Sequence, residues 1–463
     1  MKTDTPIESL PTIGSNLNGI NHKGILRNII TVSFFYRIFE EAFNVLIIPY
    51  AYEEKGWTFE QYGLVLGIGG YASMVIIFIL GFVVDIQFKR TGIIIGLISI
   101  IVAAVAFTRV DNFALSILFY CFFAIGQQLM MISTNAFIAN ETGKGKHRTK
   151  GLTWNMVSRG LASASAPIIC MYLLTFPILG YDWVFTIMAI FGVIALILVF
   201  TLKLIAEKSP KGEIDYAQDL SEKSGDDFTA FANEKKGLKS ILLVQGSFGI
   251  GRMLMGFTSG VAIPFVGAYV YTHFNYIFDA HSMAWAWLNS LNWIALSLGY
   301  FLIAFIAEKW GKDVVVVIFW TAVIPAAVGI WLAGSHGMFY LTCFFFILRY
   351  FFAMTPSAAW NSFLFEWIPP KHRGKTLGLL QTGQRAMRAT GTLLGGLAFT
   401  ALDAMLFPIA MVAYPLAGLL PLIISKVVKK RLKDSQKLAE NEIQDEELPI
   451  EPVIEIGEYP KSK

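Results

Sequence analysis

Residues 81–108 read GFVVDIQFKRTGIIIGLISIIVAAVAFT, in which Asp85, Lys89 and Arg90 are followed by a run from 91 to 108 without a single charge. As a helix such a run rises about 1.5 Å per residue, close to the roughly 30 Å of a bilayer's hydrocarbon core. Runs of this kind recur along the whole chain. They lie near 28–51, 61–84, 91–108, 113–140, 152–178 and 182–204, then near 239–271, 283–307, 314–333, 338–365, 376–400 and 404–427. The pattern predicts an all-α integral membrane protein of about twelve transmembrane helices.

Composition agrees. Of 463 residues 55% are hydrophobic and 15% charged, against about 25% charged in soluble domains, and the mean hydropathy is +0.58. Cys121, Cys170 and Cys343 all fall inside apolar runs, with neither disulfide-framework nor metal-ligand spacing. The first 27 residues are polar and hold no apolar core followed by a small-residue cleavage site, so the first span is expected to direct insertion.

Positive charge is placed unevenly. One set of short loops carries Lys89, Arg90, Lys144, Lys146, Arg148, Lys150, Lys309, Lys312, Lys371, Arg373 and Lys375, while the opposite loops offer Lys55 and Arg109. By the positive-inside rule the first set is cytoplasmic. The organisation expected is a cytoplasmic N-terminal tail (1–27), a six-helix bundle (28–204), a charged cytoplasmic linker (205–238), a second six-helix bundle (239–427) and a cytoplasmic C-terminal tail (428–463). The location expected is the cell membrane, with both termini cytoplasmic.

The two bundles repeat one another in register. Arg37 followed by Ile48 and Pro49 returns as Arg252 followed by Ile263 and Pro264; Asp85 pairs with Glu308, Asn135 with Asn361, His147 and Arg148 with His372 and Arg373, and Arg159 with Arg385. Parallel repeats of this sort are related by an axis along the membrane normal and hold the solute site between them near the midplane.

Gly81 through Asp85 to Lys89 and Arg90 resembles the loop motif of the major facilitator superfamily, with Ile86 and Phe88 where that family usually has arginine and glycine. A degraded second copy runs from Ala304 through Glu308 and Lys309 to Gly311 and Lys312. Glu141 with Arg148, matched by Glu366 with Arg373, resembles the carboxylate–arginine pairs of the same family. The resemblance spans about residues 28 to 427. It implies that Asp85, Lys89, Arg90, Glu141, Arg148, Glu308, Lys312, Glu366 and Arg373 form ion-pair networks that close the cytoplasmic side when the carrier faces outward. The plain alternative is that these charges are insertion signals and solvated span ends, worth about 0–1 kcal/mol as pairs.

Charges inside spans are more telling, since each costs at least about 2.5–3.5 kcal/mol to bury in a membrane. Arg37, Glu40 and Glu41 sit near the middle of the first span and share one helical face with Asn44. Arg252 holds the repeat-equivalent place in the seventh span, and Arg349 stands in the tenth among Phe345, Phe346, Tyr350 and Phe351. Three arginines against two glutamates leave a positive excess, and a guanidinium fork matches carboxylate or phosphate oxygens two at a time. An arginine pair on the first and seventh helices resembles the organophosphate and organic-anion branches of the superfamily. That likeness implies an anion clamp of Arg37 and Arg252, with Arg349 a third contact. The competing reading is that Arg37 neutralises Glu41 and Arg252 snorkels toward the cytoplasm. Glu40 and Glu41 are candidates for proton coupling.

Gln127, Gln128, Ser133, Thr134, Asn135, Asn289, Asn292 and Asn361 are further candidates to line the pathway, and the small residues from Gly160 to Ala166 let helices approach. The chain carries no metal-ligand spacing, phosphate-binding glycine loop or nucleophile elbow, so neither an enzyme nor a cofactor is expected. The function read from these features is secondary transport of a small organic or phosphorylated anion by alternating access, with proton coupling or exchange. A proton-coupled sugar or zwitterion carrier, a drug exporter and a transporter-like sensor stay open. The partners expected are a small solute, the lipid bilayer and protons, without nucleic acid, and the carrier is expected to work as a monomer.

Overall fold

The computed structural model describes residues 22–83, 89–141, 146–206, 235–274, 283–365, 367 and 373–446. Within hydrocarbon a chain must satisfy its backbone groups internally, and a helix does this segment by segment. Accordingly there is no strand among the described residues. The first set of helices is α1 (His22–Pro49), α2 (Phe59–Val83), α3 (Lys89–Thr108), α4 (Phe113–Glu141), α5 (Lys146–Leu174) and α6 (Tyr181–Ala206). The second is α7 (Lys235–Phe274), α8 (Met283–Trp310), α9 (Lys312–Ser335), α10 (Phe339–Met354), α11 (Ser357–Phe365), α12 (Arg373–Leu402), α13 (Leu406–Met411) and α14 (Ala413–Glu446).

Ten stretches among the described residues are long and apolar enough to cross a membrane, the last of them running from Gly378 to Arg431 over α12, α13 and α14. The three charges in the middle of α1, Arg37, Glu40 and Glu41, set it apart from these stretches. Large apolar side chains turn outward along the helices, Val102 at 59% and Phe305 at 70% exposure among them, as a lipid-facing surface requires.

Three boundaries differ from the sequence reading. The run at 338–365 is two helices, because Pro356 lacks the N–H that would continue the ladder, although Thr355 before it keeps helical dihedrals. The last helix does not stop at 427: the lysines, leucines and glutamates beyond it favour helix, and α14 continues to Glu446. The repeated proline also acts differently in its two copies. Pro49 ends α1 in a π-helical turn, Tyr50–Glu54, whereas Pro264 stays inside an unbroken α7.

In the first set α1 packs against α5 and α6, and α3 against α4 and α6; in the second α7 packs against α12 and α14, and α9 against α10. Contact between the sets runs through α2 against α12 and α5 against α8. Glycines allow the first of these: a Cβ on Gly67 would lie 2.5 Å from Leu393, and one on Gly70 2.9 Å from the Ala389 side chain. At one end this seam is dense. The Phe59 and Phe399 rings are 4.7 Å apart, Tyr62 meets Phe265 at 6.2 Å, and Thr400 donates its hydroxyl to Glu60. Nearby loops are pinned by Lys55 Nζ, which donates to Asp111 Oδ1 at 2.6 Å and holds that carboxyl below the usual carboxylate range, and by Tyr181, which donates to Glu53.

Candidate functional site

The first requirement of a charge inside a span is a partner, and α1 supplies its own. Arg37 Nη1 lies 2.7 Å from Glu40 Oε1 and Nη2 2.9 Å from Glu41 Oε2, since positions three and four residues on share its helical face. Its Nε donates to Ser163 Oγ on α5 at 2.7 Å. The guanidinium also stands 4.9 Å over the Trp293 ring of α8, a cation–π contact. All three residues of the α1 stripe are buried, Arg37 at 9% exposure and each glutamate at 5%.

The two carboxylates are held differently. Glu41 Oε1 accepts from Trp293 Nε1 at 2.9 Å and from Asn289 Nδ2 at 3.2 Å, while its Oε2 meets Arg37, so both oxygens are engaged. Glu40 uses Oε1 on Arg37 and leaves Oε2 buried without a hydrogen-bond partner, near the likewise unpartnered Tyr36 hydroxyl. Arg159 of α5 and Arg385 of α12 both lie within electrostatic reach of Glu40.

Arg252 is a different kind of cation. Its Nη2 donates to Asn361 of α11 and its Nη1 reaches Gln384 of α12 at 3.4 Å, while Nε is unpartnered. Close helix approach creates this arrangement: a Cβ on Gly256 would sit 2.1 Å from the Gln384 carbonyl oxygen, and one on Gly260 2.0 Å from that of Arg388. The α7–α12 seam thus brings Arg252 beside the turn of α12 that carries Arg385 and Arg388. Arg349, in α10, is 1% exposed, and none of its three guanidinium nitrogens has a hydrogen-bond partner among the described residues.

The sequence-derived set is therefore sorted by the structure. Arg37, Glu40 and Glu41 form one cluster, joined by Asn289 through Glu41; Arg252 takes Asn361. The fork of Arg37 is spent on glutamates, and no contact joins it to Arg252. Among the gate residues Asp85 and Glu366 lie outside the described residues, as do the side chains of Lys89, Glu141, Arg148, Glu308 and Arg373. Arg90 stands 5.9 Å over the Phe200 ring, and Lys312 opens α9. Trp293, Arg159, Arg385 and Arg388 were missed as site residues. For Arg159 and Arg385 the signal was present, two repeat-related arginines inside spans; for Trp293 an indole in an apolar run gives none.

The family model of the Major Facilitator Superfamily matches residues 29–360. A comparison with curated proteins finds no match. Among solved structures, a POT family transporter in complex with a thioalcohol-conjugated peptide aligns with a TM-score of 0.68 at 16% identity, covering 88% of this chain and 96% of that one. A POT family transporter in complex with 5-aminolevulinic acid gives 0.69 at 16% identity over 88% and 96%. A mutant of the nucleoside transporter NupG gives 0.60 at 14% identity over 88% and 99%. These structural likenesses carry the fold. With a family match over most of its length and a fold shared with known carriers, the chain belongs to the major facilitator superfamily of membrane transporters.

Proposed function

We propose that this carrier moves a small organic or phosphorylated anion across the cell membrane by alternating access, with proton coupling at Glu40 and Glu41 or exchange. The observation that carries the reading is the charge of the span interiors. Arg37, Arg252 and Arg349 are buried there and Arg159, Arg385 and Arg388 half-buried, against Glu40 and Glu41. Charge buried to this extent is retained in a membrane where it has work to do. An anion arriving between the halves offsets the excess, and guanidinium groups suit carboxylate or phosphate oxygens.

On this reading twelve spans form two parallel six-helix halves, residues 28–204 and 239–427, with linker and tails cytoplasmic. The dense seam of Phe59, Phe399, Tyr62 and Phe265 is then the outer gate in its closed state, and Asp85, Lys89, Arg90, Glu141, Arg148, Glu308, Lys312, Glu366 and Arg373 belong to the cytoplasmic one. Arg37 acts inside a triad with two carboxylates, so Arg252 with its free Nε and the arginines of α10 and α12 present the cationic wall. Both oxygens of Glu41 are engaged, whereas Glu40 meets Arg37 through Oε1 and has Arg159 and Arg385 within electrostatic reach.

A zwitterion is the second reading, favoured by the local excess of Glu40 and Glu41 over Arg37 and by neighbours of like fold solved with a peptide conjugate or 5-aminolevulinic acid. Uptake into proteoliposomes separates the two. Under an imposed inward proton gradient, succinate or glycerol 3-phosphate should accumulate, and an amino acid or dipeptide should not. The reverse pattern selects the zwitterion.

A further inference from the structure

We propose a lipid site at the end of α14, where that helix leaves the apolar layer. Lys426 and Lys430 hold the headgroup of an anionic phospholipid, and its acyl chains lie along Leu416, Ile423 and Val427. The site is independent of the solute and rests only on the chain spanning a membrane.

The last stretch apolar enough to cross a membrane ends at Arg431, while α14 runs on to Glu446. Between Ala413 and Ala439 this helix carries Lys426, Lys429, Lys430, Arg431, Lys433 and Lys437 against Asp434 alone. These charges are not spread evenly around it. At about 100° per residue, Leu416, Ile423, Lys426, Val427 and Lys430 fall within about 100° of arc. All five are exposed. An apolar ridge therefore runs along the outer face of α14 and is capped on that same face by two cations. Among the described residues neither lysine forms an ion pair.

Contacts with neighbours fix the helix in this rotation. Lys429, to one side of the face, stands 5.5 Å from the centre of the buried Trp367 ring, and the Trp367 carbonyl oxygen accepts from Gln245 Nε2 of α7 at 2.9 Å. Farther into the span, a Cβ on Gly251 of α7 would lie 2.6 Å from the Ala417 carbonyl oxygen. Going back from Gly251 to Gln245 thus matches going forward from Ala417 to Lys429, so α7 and α14 run antiparallel. The start of α7, with Lys235, Lys236 and Lys239 in its first five residues, comes to the same end and adds to its positive field. Orienting a span in the membrane asks for a number of positive charges, not for their alignment with an exposed apolar ridge. Lysine and arginine clustered directly beyond a span attract anionic lipid. A lipid lying on Leu416, Ile423 and Val427 has its phosphate where Lys426 and Lys430 stand, and a headgroup bearing its own cation is disfavoured there.

The test uses the purified full chain in detergent at constant ionic strength, with melting temperature read as phosphatidylglycerol or phosphatidylcholine is titrated into the micelles. Bound lipid stabilises by mass action, so the wild type should gain with phosphatidylglycerol and not with phosphatidylcholine. Lys430→Gln should weaken the apparent affinity for phosphatidylglycerol roughly fivefold, and Lys426→Gln with Lys430→Gln about thirtyfold. Arginine at both positions should keep it. Lys309→Gln, which removes an exposed charge at the end of α8, should leave it unchanged. Equal gains with the two lipids, or an undiminished phosphatidylglycerol gain in the double glutamine variant, would overturn the site. An equal loss in Lys309→Gln would show diffuse surface attraction and overturn it as well. A shift with inorganic phosphate in place of lipid, lost in the double glutamine variant, would identify a free-anion site instead. A lower melting temperature of that variant without lipid would show that the two lysines only hold α14 in place, which also overturns the proposal.

Discussion

Trp293 donates its indole N–H to Glu41 Oε1 at 2.9 Å while its ring lies beneath the Arg37 guanidinium at 4.9 Å. One residue of α8 thus grips both signs of the charged stripe on α1, and it does so across the boundary between the two sets of helices. A hydrogen bond to a charged group contributes about 1.5–3 kcal/mol. Trp293→Phe keeps the ring and deletes the donor, so it should lower the melting temperature by a few degrees and leave the protein folded. An unchanged melting temperature would show that the bond contributes nothing across the boundary.

Glu40 and Glu41 should behave differently when neutralised. Glu41 has three partners, so Glu41→Gln should cost stability and expression. Glu40 has a free oxygen, and Glu40→Gln should leave a folded carrier that exchanges solute yet no longer accumulates it under a proton gradient. Accumulation by Glu40→Gln equal to wild type would remove the coupling role.

Arg252→Lys preserves charge but loses the planar fork that reaches Gln384 and Asn361 together. Anion affinity in a proteoliposome uptake assay should fall about tenfold, a free-energy change of about 1.4 kcal/mol. Wild-type affinity in this variant would take Arg252 out of the cationic wall.

How much of this was legible in the sequence follows from the range of each signal. The α1 stripe was readable because its charges are three and four residues apart on one helix. The partnership of Arg252 with Asn361 was not, since 109 residues separate them and an asparagine in a span usually reads as packing. Arg159 and Arg385 were seen as a repeat pair and left uncounted as charges, which understated the cationic excess. The break at Pro356 was readable from proline chemistry alone. The extension of α14 was hidden because a charged segment resembles a solvated tail whether or not it is helical.

The α7–α12 seam offers a test with an internal control. Glycine to alanine in a helix ordinarily gains about 0.8–1.0 kcal/mol, and Gly246, with nothing within 4 Å of its added Cβ, should follow that rule in Gly246→Ala. At Gly256 the same methyl meets the Gln384 backbone at 2.1 Å, so the helices must part. Gly256→Ala should therefore melt lower than wild type and weaken anion binding, while Gly246→Ala melts slightly higher. Equal melting temperatures for the two variants would show that the seam is loose.

The central claim is that the arginine excess within the spans selects an anion. Its most direct measurement is uptake of labelled solutes into proteoliposomes under an inward proton gradient, with succinate, glycerol 3-phosphate, glucose, an amino acid and a quaternary ammonium compared side by side. The account predicts accumulation of an anion, abolished when the gradient is collapsed, and none of the neutral sugar or the cation. Accumulation of the quaternary ammonium or of glucose, with both anions excluded, would contradict it.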